Sequence, residues 1–271
     1  RGAHLDTQLL TICLLTASIN LIGTLAYAAR IAGIRTGRIA LSFALFNLLV
    51  LVSRMSNSFL GPFLAKRVEN GIVAGTGASL ANDFRIVLAS ASIAVFVGIL
   101  MVPSGQRMFT AAIGWFQKNR STARLILRSA SPAGLAAVRH SLALPSAEHL
   151  KHLARPKAAS WGMLVANILA QALVTVGVLA SLYAGYLNPE FRVTASQLSA
   201  VVNGFATILL FALIDPQLSV MTDDVVEGRL SAPDFRQVIV WVSFSRLAGA
   251  LLAQALFLPA AAAIAWVANY V

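Results

Sequence analysis

The sequence predicts an all-α, polytopic membrane protein with about six transmembrane helices. Of its 271 residues, 58% are hydrophobic and only 11% are charged, whereas soluble domains carry roughly 25% charged residues. Six apolar stretches are long enough to cross a bilayer, which takes about 20 helical residues. We expect them to form a single integral membrane domain, with spans at 7–28, 39–59, 84–102, 161–187, 195–216 and 238–268.

Prolines and polar residues set the expected ends of these spans. Residues 7–28 form a stretch too long and too rich in polar side chains for a cleaved signal peptide. The second span continues as a helix to Lys66 if Pro62 is tolerated. Pro259 predicts a kink or a break in the sixth span.

The end of the fifth span carries a cluster of acidic residues. We expect a helix break at Asp215-Pro216, because a residue before proline avoids the α region. Thr222, Asp223 and Asp224 then predict a new helix start, with acids placed in its first turn. The alternative is a cytoplasmic gate, in which Asp215, Asp223 and Asp224 pair with Arg30, Arg35 or Arg38.

The loop between spans 3 and 4, residues 103–160, is the only sizeable extramembrane region that the sequence predicts. Its first part is amphipathic, with Phe109, Ile113 and Phe116 on one side of a helix. Arginines then recur every four residues, at Arg120, Arg124 and Arg128. Because basic helices with an apolar face lie in the membrane interface, we expect interfacial helices that bind anionic membrane lipids or gather an anionic lipid substrate.

Basic residues also orient the spans, since Lys and Arg accumulate in cytoplasmic loops. Loops 1–2, 3–4 and 5–6 hold 14 of them, and the opposite loops and the termini hold five. Nine of the 14 lie in the long 3–4 loop, and when that loop is left out the two sets hold equal numbers of basic residues. We therefore expect the first set of loops to be cytoplasmic and both termini to lie outside.

Motifs for catalysis and cofactor binding are missing from the sequence. There is no HExxH, GxSxG or P-loop, and no span carries a histidine or a carboxylate pair for acid–base chemistry. Cys13 is the only cysteine, and Glu148, His149 and His152 make a poor metal site. The net charge of +11 indicates anionic headgroups or substrates rather than nucleic acid. We expect no enzyme activity, no cofactor and no metal.

Every span except the third carries a polar side chain near mid-membrane. These residues are Asn20, Asn47, Asn167, Gln171, Asn203 and Arg246. A rise of about 1.5 Å per residue places all of them within about 6 Å of the same depth near the middle of the membrane. Polar groups at this depth usually face the helix bundle. They either join helices by hydrogen bonds or line a hydrated cavity, for which Asn20, Asn47, Asn203 and Arg246 are the predicted lining.

Arg246 is the most informative of these residues. A guanidinium at this depth needs a carboxylate, carbonyl groups, water or an anionic ligand, and no acidic residue lies mid-span to pair with it. The alternatives are a structural arginine bonded to helix carbonyls and a site for an anion. Arg54 either contributes to the same site or extends outward to the headgroups.

Two stretches resemble the Amj family, the alternate lipid II flippases of bacteria, which are unrelated in sequence to MurJ. The first, Asn20 to Pro62, contains Y-A-A-R-I-A-G-I-R-T-G-R and S-R-M-S-N; the second, Ile214 to Gln254, contains I-D-P-Q-L-S-V-M-T-D-D-V-V-E-G and S-R-L-A-G-A-L-L-A-Q. The polar positions that match are Asn20, Tyr27, Arg30, Arg35, Thr36, Arg38, Asn47, Arg54, Asn57, Asp215, Thr222, Asp223, Asp224, Arg246 and Gln254.

The resemblance implies translocation of the undecaprenyl-pyrophosphate-linked peptidoglycan precursor, lipid II, from the inner to the outer leaflet of the bacterial cell membrane. The substrate-binding candidates are Arg246, Arg54, Arg30, Arg35, Arg38, Asn20, Asn47, Asn57 and Asn203. The alternatives are a transporter of another anionic polyprenyl lipid and an intramembrane enzyme acting on such lipids. A membrane scaffold is a third, which a mid-span arginine argues against.

Overall fold

Helices account for nearly all of the chain that can be described. The structure is a computed structural model, which describes residues 6–75, 77–129, 131–143 and 159–271. The helices are α1 (Thr7–Thr36), α2 (Ile39–Val73), α3 (Gly77–Asn119), α4 (Thr122–Ser129), α5 (Pro132–Ser141), α6 (Trp161–Leu187), α7 (Arg192–Leu209), α8 (Asp215–Val226) and α9 (Ala232–Val267). Six helical segments are long and apolar enough to cross a membrane, with α7 and α8 forming one of them. The predicted all-α class and six spans are confirmed.

Side-chain caps fix several helix ends. The Asp6 carboxylate accepts a hydrogen bond from the N–H of Leu9 at 2.7 Å, which caps α1. Ser160 and Ser231 cap α6 and α9 in the same way. Gly37 ends α1 with φ of 64°, a conformation that favours glycine and turns the chain directly into α2.

Prolines interrupt the long helices less than the sequence predicts. Helix α2 passes through Pro62 to Val73, and α9 passes through Pro259 without a break. Helix α3 passes through Pro103 to Asn119, so the amphipathic segment after residue 103 continues span 3 and is not a separate interfacial helix. Burial explains its continuation, because Phe109 and Ile113 pack into a core with residues of α1 and α2.

The expected break at Asp215-Pro216 is also wrong. A π-helical turn, Leu210–Ile214, joins α7 to α8, and Pro216 lies in the first turn of α8. Because the first turn of a helix leaves its N–H groups without intrahelical partners, proline costs little there. Thr222, Asp223 and Asp224 consequently lie inside α8 rather than at a helix start.

The spanning helices pack as two groups of three. In the N-terminal group α1 packs along α2 and α3; in the C-terminal group α6 packs along the α7–α8 segment and α9. Glycines allow the closest approaches, Gly98 of α3 against Thr24 and Gly249 of α9 against the backbone of α6. Since each group crosses the membrane three times, the second group is inverted relative to the first.

The two groups meet mainly through α3 and α9, and also through α2 and α6. A core near the start of α1 includes a ring cluster of Phe84, Tyr183 and Phe257. A second core, near the other end of α1, includes Tyr27 and Ile31 with Met163, Ile214 and residues of α9. Among the described residues, the backbones of α1 and α6 do not approach within 8 Å, nor do those of α2 and α7. We call the region between α1 and α6, where side chains of the two helices meet in these cores but their backbones stay apart, the α1–α6 gap.

Candidate functional site

Arg246 of α9 extends toward α1 at the middle of its span. Its guanidinium lies against the backbone of Gly23: a Cβ at that position would be 3.1 Å from Cζ, 3.5 Å from Nη1 and closer still to Nη2. The residue as a whole is half-buried, but its Nε is buried and has no hydrogen-bond partner among the described residues. No carboxylate forms an ion pair with Arg246 in that part of the chain.

Tyr27 is the polar neighbour of this guanidinium. It lies one turn after Gly23 on α1, and its hydroxyl is close enough for polar contact with the side chains of both Arg246 and Asn167. Asn167 of α6 is in turn fixed to α9, because its Nδ2 donates to the Val242 carbonyl at 3.1 Å and to the Ser245 hydroxyl at 2.7 Å. The buried Tyr27 side chain of α1 therefore lies beside both α6 and α9.

A second arginine follows on α1 toward the helix end. Arg30 Nη2 donates to Asp215 Oδ1 at 3.2 Å, which joins the N-terminal group to the first residue of α8. The Arg30 guanidinium also lies over the Phe43 ring, 5.0 Å from its centroid. Its Nη1 is buried and lacks a hydrogen-bond partner in the described ranges. The gate alternative pairs acidic residues of this segment with arginines at the end of α1, and the Arg30–Asp215 ion pair is one such pair.

The other acidic residues of the predicted gate do not join this pair. Asp224 is bound instead by Arg229, whose Nε donates to its Oδ1 at 2.8 Å, and Asp223 is exposed. Arg35 and Arg38 are exposed at the end of α1 and the start of α2. A cavity of about 720 Å³ is lined by Arg38 and, from the end of α3 and the residue after it, by Phe116, Gln117 and Arg120.

The asparagines of the predicted cavity occupy different surroundings. Asn20 is buried on α1, and its amide donates to the Thr16 carbonyl at 3.0 Å. Asn203 of α7 is half-buried, with its Oδ1 3.0 Å from where a Cβ on Gly177 would be. On α2 the side chains of Asn47, Arg54 and Asn57 are exposed within the span.

The contact between Gly23 and Arg246 and the position of Tyr27 beside it were not predicted. The residue spacing indicates them, since Asn20, Gly23, Tyr27 and Arg30 follow each other at intervals of three or four residues, which places them along one face of α1. A cluster near the start of α1, where Arg67 of α2 binds Asp6 at 2.7 Å and Asp83 at 2.9 Å, was not predicted either. No group that could hold a metal occurs among the described residues, and Glu148, His149 and His152 lie outside them.

Comparison with known proteins gives one family over nearly the whole chain. Residues 15–268 match the family described as Amj, "Alternate to MurJ". A relative from Bacillus subtilis (strain 168), named "Lipid II flippase Amj", is 36% identical over 272 residues, which cover 98% of this chain and 98% of the relative. No solved structure matches the chain. The resemblance carried by the two motif-bearing stretches is therefore confirmed, and the protein belongs to the Amj family.

Proposed function

We propose that this protein is a flippase that carries lipid II from the inner to the outer leaflet of the bacterial cell membrane, and not an enzyme. A relative that is similar over most of the chain is named a lipid II flippase, which supports this assignment. The observation that carries it structurally is Arg246, a half-buried residue whose mid-span guanidinium has no carboxylate partner in the described ranges. Such a group favours an anionic ligand, and a planar guanidinium matches pyrophosphate oxygens in pairs.

In this mechanism the hydrophilic head passes through the α1–α6 gap, whose buried side chains must first move apart. The two spans that pack beside α1 and α6, namely α2 and the α7–α8 segment, have the smallest buried fraction of the six. Both carry polar side chains at depth, Asn47, Arg54 and Asn57 on α2 and Asn203 on α7. A polar head that enters between these helices leaves its polyprenyl tail in lipid, and Arg246 then binds the pyrophosphate.

The Arg30–Asp215 pair acts in this mechanism as the gate on the cytoplasmic side. It joins the two helix groups at the end of α1 that we place in the cytoplasm. An incoming pyrophosphate competes with Asp215 for Arg30, and the exposed Arg35 and Arg38 attract the anion to the rim. Asp223 and Asp224, which the gate alternative also included, lie further along α8, with Asp224 already bound to Arg229.

The other predicted partners follow from the surface charge. The exposed arginines of α4 and the preceding turn, Arg120, Arg124 and Arg128, bind anionic membrane lipids, and no nucleic acid is involved. The protein lies in the inner membrane with both termini outside.

Leaflet-resolved labelling of lipid II tests the function directly. In cells or vesicles with this protein as their only flippase, labelled lipid II is expected to reach the outer leaflet, and vesicles without the protein supply the background rate. A rate equal to that background contradicts the proposal. Movement of a different polyprenyl phosphate lipid, without movement of lipid II, identifies the alternative transporter, and release of phosphate by the pure protein identifies the enzyme.

A further inference from the structure

The contacts of Arg246 point to two residues that prepare it for an anion. We propose that Gly23 and Tyr27 are positioning residues, which place the Arg246 guanidinium between α9 and α1 in the orientation that receives the substrate's pyrophosphate. This inference rests on the proposed function, and it adds how the site is built. We call the three residues the anion seat.

Gly23 provides the space that the guanidinium occupies. A Cβ on residue 23 would lie less than 3.0 Å from Nη2, closer than real Cβ atoms approach other groups, and 3.1 Å from Cζ, which is tighter than most real Cβ contacts. Any larger residue must therefore displace the charged end of Arg246 rather than a nearby apolar side chain. By contrast, a methyl group added at Gly61 of α2, Gly114 of α3 or Gly204 of α7 would have no heavy atom within 4 Å, and these glycines have no such role.

Tyr27 orients the guanidinium without neutralising it. A phenol hydroxyl both accepts and donates a hydrogen bond. It lies near both Arg246 and Asn167, so a small rotation would let it accept from Arg246 and donate to Asn167 Oδ1, which has no hydrogen-bond partner among the described residues. Asn167 is anchored to α9 through its Nδ2. A carboxylate in place of Tyr27 would satisfy the charge of Arg246 and compete with the anion, whereas a neutral phenol leaves that charge available.

The inference predicts a specific coupling between residues 23 and 246. In Gly23→Ala the methyl group displaces the planar guanidinium, and we expect transport per folded molecule to fall at least tenfold. Lysine carries a compact ammonium without the planar fork. When Arg246→Lys is the background, the same Gly23→Ala change is therefore expected to cost less than twofold. Gly204→Ala is the matched control and is expected to cost less than twofold in both backgrounds.

Tyr27→Phe tests the second positioning residue. The ring is kept and only the hydroxyl is lost, so we expect the folded protein to need about tenfold more substrate for half-maximal transport. Tyr186→Phe, on α6 away from the seat, is the control and is expected to behave as the original protein. Tyr27→Glu is expected to abolish transport, because its carboxylate occupies Arg246.

Binding of a soluble probe separates this inference from the proposed function. Farnesyl pyrophosphate is titrated into the purified, detergent-solubilised protein and its variants, with farnesol as the uncharged control. We expect binding that weakens at least tenfold in Gly23→Ala, with little further loss when Arg246 is already lysine. If the original protein binds the probe with this coupling but does not move lipid II, the proposed flippase function is wrong, while the roles of Gly23 and Tyr27 in the anion seat are supported.

Three results overturn the seat itself. The first is an original protein that does not bind the probe. The second is a Gly23→Ala variant that binds and transports normally. The third is an equal loss in the arginine and lysine backgrounds, which shows that the methyl group disturbs helix packing and not the guanidinium. Each of these can occur while lipid II transport by the original protein is intact.

Discussion

At the scale of single residues, the charge of Arg246 is the first quantity to test. If it binds the pyrophosphate, Arg246→Ala abolishes transport while the protein still inserts and folds. Arg246→Lys recovers part of the activity, because a point charge replaces a planar fork, and Arg246→Gln fails because it keeps polarity without charge. The measurement is leaflet-resolved lipid II transport, divided by the amount of folded protein.

A structural arginine gives the opposite pattern. Arg246→Ala then lowers the thermal stability and the expression level, and Arg246→Gln restores both by bonding to neighbouring groups. Near-normal transport by the Gln variant would show that Arg246 joins helices and that the anion site lies elsewhere, in the first place at Arg30, Arg35 and Arg38.

Asp6 offers a test of stability against pH. Burial raises its pKa, but the N–H of Leu9 and the Arg67 guanidinium outweigh burial and hold the pKa below the ordinary value of 3.8. A carboxyl whose pKa is lowered by folding adds stability above its unfolded pKa, and this is lost as the pH falls through the folded value. We therefore expect the melting temperature to drop below about pH 4 partly through this group.

Asp6→Asn separates the charge from the helix cap. Asparagine caps a helix as well as aspartate does, so the variant loses only the ion pair with Arg67, worth about 1 kcal/mol or less at an exposed position. Asp6→Ala loses the cap as well, which adds about 1 kcal/mol. Melting curves of both variants at pH 7 and pH 3 check this, and an Asn variant with the full acid sensitivity of the original protein would exclude Asp6 as its source.

The sequence predicted the depth of Arg246 but not its surroundings. Hydropathy and a constant rise per residue fix how deep a side chain lies, so a mid-span arginine without an acid could be recognised directly. Its neighbours depend on how α1 rotates against α9, which follows from the packing of many side chains. Gly23 shows the limit, because a glycine in an apolar helix predicts close packing without saying what packs there.

At the scale of helices, the orientation of the spans is open to chemical labelling. In a Cys13→Ala background, a cysteine at Ser231, between α8 and α9, is expected to react only with reagents that reach the cytoplasm. A cysteine at the exposed Ala74, between α2 and α3, is expected to react from outside. Exclusive labelling of Ser231→Cys from outside would reverse the orientation, and with it the side on which the gate lies.

The number of membrane spans could be predicted, and several helix ends could not. The conformational preferences of proline predicted a kink or break at Pro259 and a break at Asp215-Pro216. In the structure α9 is unbroken, and α7 continues through a π turn into α8. In a membrane the cost of leaving backbone groups unpaired exceeds the cost of one proline, so the helix adjusts and continues. The π turn also sets where Asp215 meets Arg30, and π turns are frequent at functional sites.

At the scale of the whole molecule, the inverted three-helix groups suggest how access alternates. Within each group, long helices pack closely at glycines such as Gly98 and Gly249, which favours movement of the whole group as a rigid unit. Between the groups, the described ion pairs include one link, Arg30–Asp215, whereas Arg67 joins Asp6 and Asp83 within the N-terminal group. Rocking of one group against the other would open the α1–α6 gap on one side and close it on the opposite side.

Crosslinking between the groups tests this mechanism. With cysteines in place of Arg30 and Asp215, in the Cys13→Ala background, a short thiol crosslinker that is cleavable by reduction is expected to stop lipid II transport, and reduction is expected to restore it. The same double variant before crosslinking gives the reference rate, because the substitutions themselves remove the ion pair. The reason for the expected loss is that a covalent link holds the cytoplasmic ends of the two groups together, so the head cannot enter the gap.

A crosslink inside one group is the matched control. Cysteines in place of Arg67 and Asp83 tie α2 to α3, which belong to the same group, and that link is expected to leave at least half of the transport of its own uncrosslinked variant. Equal inhibition by both crosslinks would mean that the groups themselves deform during transport. Full transport with Arg30 and Asp215 positions linked would mean that the head passes without opening this end, and the gate would then have to be sought nearer Phe84, Tyr183 and Phe257.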